Sequence, residues 1–147
     1  MGADLYILKM EREKQYRGFE VSKDAVDAGY FRDCYNSNGL FSFLNANSGM
    51  KQQFSWWQLS DKKGWFDEDP EWGKVMNVNG AKKFLSILEK AQKKISAKAD
   101  LYREDWNTKG KVKLTENQSK EYEEWLGFLI SFLRLAIKQK SPIGWSV

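Results

Sequence analysis

The amino-acid sequence predicts an α+β fold that is mostly helical: three or more helices packed around a long C-terminal hub helix, with short N- and C-terminal strands placed to pair. Three observations carry that expectation. Thr115 and Gln118 have the spacing of a capping box, which satisfies two of the amide donors left over at a helix start. From Trp125 to Ile137 the chain is apolar except for Gly127, Ser131 and Arg134, which share one narrow stripe with Lys138. A helix apolar around most of its circumference is covered on most sides, so Thr115 to Lys140 is the expected hub. Upstream, Phe84, Ile87, Leu88, Ala91 and Ile95 recur at helical spacing between Gly80 and Lys98. The chain of 147 residues fits a single domain over 1–147, large enough to bury about two thirds of the surface its unfolded form exposes.

The elements follow in order. Leu5, Tyr6, Ile7 and Leu8 favour a short strand over Asp4 to Met10. Glu11 to Lys23 is mostly charged and polar around Gly18 and is expected to be a surface loop or turn. Ser22 caps a brief helix through Ala28, which Gly29 stops. Gly29 to Asn36 is dense in aromatics, and Ser37 or Asn38 is placed to cap a second helix holding Leu40, Phe41, Phe43 and Leu44. After a polar break at Asn45 to Gly49, Phe54, Trp56, Trp57 and Leu59 form another apolar patch. Asp69-Pro70-Glu71 has the form of a helix start, with Asp69 as cap and proline in the first turn. Asp105 to Lys113 reads as a loop, Ser141-Pro142 ends the last helix, and Ile143 to Val147 is apolar enough to add a strand beside the first.

Composition narrows the chemistry. No histidine is present, which removes the commonest general base and the commonest transition-metal ligand together. The acidic run Asp67, Glu68, Asp69 and Glu71 lacks the alternating ligands and central glycine of a calcium loop, so no metal and no cofactor is expected. A single cysteine, Cys34, excludes an internal disulfide framework, and no charged leader precedes an apolar core; both favour the cytoplasm. The apolar run between Glu124 and Lys138 is thirteen residues with an arginine inside it, whereas a membrane span needs about 20, so no membrane association is expected.

Four features are candidates for function, each with a plainer reading beside it. Tyr30, Phe31, Arg32, Asp33 and Tyr35 offer an arginine fork for a phosphate or carboxylate with rings to stack on a base or sugar, or else form an aromatic wedge between helices. Trp56, Trp57, Trp65 and Trp72, four of the seven tryptophans, are either an exposed patch for a protein partner or part of the core. On the helix over 80–98, Lys83, Lys90 and Lys94 share an outer face with Lys82 and Lys93. Lys and Arg number 10 against 12 Asp and Glu in residues 1–80, but 14 against 8 in 81–147, an asymmetry that suits an anionic partner or simple solvation. Arg134, set in the apolar run, needs a partner unless its stripe reaches the surface.

Several islands together carry a resemblance: the opening Met1-Gly2-Ala3-Asp4-Leu5-Tyr6-Ile7, Gly29-Tyr30-Phe31-Arg32-Asp33 with Tyr35-Asn36, Ser55-Trp56-Trp57, and Phe132-Leu133 with Ala136-Ile137 and Pro142-Ile143. They resemble an uncharacterised family of small bacterial and phage proteins without an established activity. The spacer before Gly29 is shorter here, and Trp65 to Trp72 is an acidic, Trp-rich insert. The resemblance implies related architecture, and a phage-type inhibitor or sequestering protein would fit it. The residues themselves point to a noncatalytic binding or interaction protein with a protein partner. A binder of an anionic nucleotide or nucleic acid, through Arg32 and the lysine-rich second half, is the alternative, and an enzyme stands third.

Overall fold

A computed structural model describes residues 2–10, 21–48 and 55–147. Glu11 to Glu20 of the expected surface loop, Gly49 of the polar break, and Phe54 lie outside the described residues. Seven strands and five helices are described: β1 (Gly2–Ile7), α1 (Lys23–Asp27), β2 (Tyr30–Cys34), α2 (Leu40–Asn47), α3 (Trp56–Ser60), β3 (Phe66–Asp69), β4 (Gly73–Met76), α4 (Val78–Ser96), β5 (Tyr102–Asp105), β6 (Gly110–Lys113), α5 (Glu116–Lys138) and β7 (Ile143–Ser146).

The organising element is a sheet. Five strands run in the order β2-β1-β7-β4-β3, every pair antiparallel, and β5 with β6 forms a separate hairpin. Alternation along β1 turns Ala3, Leu5 and Ile7 into the core, and their partners Phe31, Asp33, Trp145 and Ile143 share that face. Helices cover it: Phe84, Leu88, Ala91 and Ile95 from α4, and Leu129, Phe132, Leu133 and Ala136 from α5.

This corrects the expected architecture. Of the described residues 46% are helical and 24% lie in strands, so the fold is mixed α and β, not mostly helical around a hub. α5 begins with the capping box of Thr115 and Gln118, but only Leu126, Leu129, Ile130, Phe132, Leu133 and Ala136 of it are buried. Trp125, Phe128, Leu135 and Ile137 are half-buried, and Arg134 reaches the surface, where it pairs with Glu89 of α4 at 3.1 Å. The helix is therefore one layer over a sheet. An apolar run is compatible with burial on all sides, yet the charged first two turns and the surface stripe leave this helix only one face for the core.

Short polar strands account for the rest. Asp69 is no helix cap: its Oδ2 accepts from the backbone amides of Glu71 and Trp72, each at 2.9 Å, and turns β3 into β4. Asp105 to Lys113 is a hairpin, held to α2 by Asn47, whose amide donates to the Tyr102 carbonyl at 2.6 Å and whose Oδ1 accepts from the Tyr102 N–H at 2.8 Å. Asn47 is buried, and those bonds do for the hairpin what a neighbouring strand would.

Candidate functional site

β2 is an edge strand, and its two faces separate the aromatic island. Phe31 points inward, with its ring centroid 6.4 Å from that of Trp56 and 6.1 Å from that of Phe132. Asp33, 2% exposed, also points inward. Its Oδ1 accepts from the amides of Cys34 at 2.8 Å and Leu40 at 2.9 Å, and its Oδ2 accepts from the Trp56 indole at 2.6 Å. Gly39, at the N-cap position of α2, has no side chain to offer, so Asp33 does the capping from a strand. Burial pushes its carboxyl up to about 6, against the pull of the donors from Leu40, Trp56 and Cys34.

Tyr30 and Arg32 sit on the outer face of the sheet. The Tyr30 hydroxyl donates to Asp4, and Arg32 Nε lies 3.8 Å from the same carboxylate. A Cβ on Gly2 would stand 2.9 Å from Arg32 Nε, so the guanidinium is folded over β1. Tyr6 lies between Tyr30 and Trp72 on this face, with centroids 5.3 and 5.2 Å away.

Beyond β2, the Cys34 to Gly39 loop is where distant segments meet. Tyr35 stacks on Trp57 of α3 at 5.3 Å. The Ser37 hydroxyl accepts from the backbone amide of Trp106, in the β5–β6 turn, at 3.0 Å. The Asn38 carbonyl accepts from the Tyr122 hydroxyl of α5 at 2.8 Å. A Cβ on Gly39 would lie 2.3 Å from the Cys34 carbonyl, so only glycine permits a turn this tight. Trp57 and Trp106 are 62% and 52% exposed, and both are tied to this loop.

Beside the loop lies a groove of about 630 Å³. Arg32, Asp33 and Cys34 form the strand wall; Gln118, Glu121, Tyr122, Glu124, Trp125 and Phe128 form the helix wall; Val21 and Asn38 complete it. The helix wall falls at the spacing of one face of α5. Both of its larger rings are fixed in place. Tyr122 stacks on Phe43 at 5.0 Å and lies 5.9 Å from Trp125, whose indole donates to the Arg32 carbonyl at 3.1 Å.

The sequence candidates are thus dispersed. Trp56 and Trp65 are core residues, 2% and 6% exposed, and Trp72 packs half-buried on the outer sheet face. Lys83, Lys90 and Lys94 are exposed on α4, and among the described residues no lysine lines the groove that Arg32 borders. Trp106, Glu121, Tyr122, Glu124 and Trp125 were not among the sequence candidates. Trp106 carried a usable signal, since a tryptophan inside a polar turn has no core to serve.

The thiol and two of the phenols here are held toward their neutral forms. Burial, then Asp33, raises the Cys34 thiol, and burial raises Tyr122 and Tyr35. Among the described residues, no group of three or more His, Cys, Asp or Glu is placed to hold a metal, and no helix is long and apolar enough to cross a membrane. No family model matches the sequence, and neither a curated protein nor a solved structure matches it.

Proposed function

We propose that this chain is a noncatalytic binding protein whose contact surface centres on the Cys34 to Gly39 loop, with a protein as partner. The observation that carries the reading is the pair Trp57 and Trp106, more than half exposed and fastened to one loop from separate elements. Large exposed rings on a fixed frame are the residues that dominate protein interfaces, because they contribute area while losing little rotamer freedom. The neutral thiol and phenols beside the loop offer no activated nucleophile, which also favours binding over catalysis.

The test is capture from a native lysate with the chain and with a Trp57→Ala/Trp106→Ala double variant. The expected result is loss of the captured protein with an unchanged melting temperature. Undiminished capture by the double variant counts against this surface. Recovery of nucleic acid instead, falling steeply with salt and lost on Lys83→Glu/Lys90→Glu/Lys94→Glu, favours an anionic ligand on α4.

A further inference from the structure

We infer that the groove between β2 and α5 receives a basic side chain, arginine or lysine, from a peptide segment of the partner; this rests on the protein-binding reading above. The groove has the size of an ordinary ligand cleft, about 300 to 1,000 Å³. Its occupant follows from charge and from what is already used.

Two of the outward carbonyls along the strand edge are already taken up. Backbone groups of β2 that face away from β1 belong to Tyr30, Arg32 and Cys34, because the Ile7 amide bonds to the Gly29 carbonyl and sets the alternation. The Arg32 carbonyl is taken by the Trp125 indole, and the Cys34 carbonyl is crowded by Gly39. Side chains therefore carry much of the recognition.

Those side chains suit a cation. Glu121 and Glu124 are exposed on the helix wall, and neither is in an ion pair among the described residues. Arg32 also borders the groove, but its Nε lies 3.8 Å from Asp4, which offsets its charge. Tyr122 and Trp125 add ring surface whose orientation is already set by their hydrogen bonds to Asn38 and Arg32. An ammonium or guanidinium between a carboxylate and an aromatic ring gains from both, and fixed rings lose no freedom when it arrives.

The experiment is selection of a short random-peptide library on the full chain. Binding of the selected peptides is then measured against the chain and against Glu121→Gln and Glu124→Gln, which are surface changes. The expected result is enrichment of Arg or Lys, with affinity falling roughly tenfold for each glutamine variant and for a peptide with citrulline in place of arginine. Selection of no peptide, selection of peptides without basic residues, or basic peptides indifferent to both variants would overturn the inference. The Trp57→Ala/Trp106→Ala variant leaves the groove intact, so lost capture on that variant with no basic peptide selected rejects the groove and keeps the surface.

Discussion

Replacing Asp33 by asparagine should change how stability depends on pH, and the structure gives the sign. The carboxyl is buried, and its folded value of about 6 lies above the 3.8 of an unperturbed aspartate. Between those values the folded chain binds the extra proton, so this group's contribution is fully present below the unfolded value and is lost as pH rises through the folded one. Going from about pH 7.5 down to about pH 4.5, wild type should gain about 2 kcal/mol from Asp33 alone. Other carboxylates titrate in the same window, so the quantity to measure is the difference between wild type and Asp33→Asn, from urea unfolding at both pH values. Asparagine also presents an amide where the Trp56 indole needs an acceptor, which costs about 1 to 3 kcal/mol at either pH and cancels in the comparison. A difference that shifts by less than about 0.5 kcal/mol between the two pH values would refute the reasoning.

Two stability predictions accompany it. Phe132→Ala should cost about 3 to 5 kcal/mol in urea unfolding, since the ring is 0% exposed and packs against Phe31 under the sheet; less than about 1 kcal/mol would mean the site collapses freely. Arg134→Ala should cost no more than about 1 kcal/mol in the same assay, because its bridge to Glu89 is solvent-exposed, and a larger loss would show an interaction beyond that pair.

Apart from the pairing of the first strand with the last, what was legible in the sequence was local. Thr115 with Gln118 announced the start of α5, Ser22 and Gly29 bounded α1, and the apolar spacing of α4 marked its buried face. Sheet formation is not local. β2 hid because Tyr30 and Phe31 are both buried although they face opposite ways, so no alternation of polar and apolar residues shows. β3 carries Asp67, Glu68 and Asp69, which suits an exposed edge and disguises a strand. The groove was equally hidden, because the Gln118 to Phe128 face acquires meaning only once β2 is known to lie beside it.

The strand order also governs how the molecule can be assembled. β1 with β2, and β3 with β4, are two separate ribbons, and the strip that joins them is β7, which lies between β1 and β4 and follows every other described element in the chain. A two-stranded ribbon is marginal by itself in water. The pairing that joins the ribbons therefore links β1 to a strand more than 130 residues later, a long-range closure of the kind that slows folding. These four residues act as a zip between halves of the sheet, so the two ribbons become one sheet only through them.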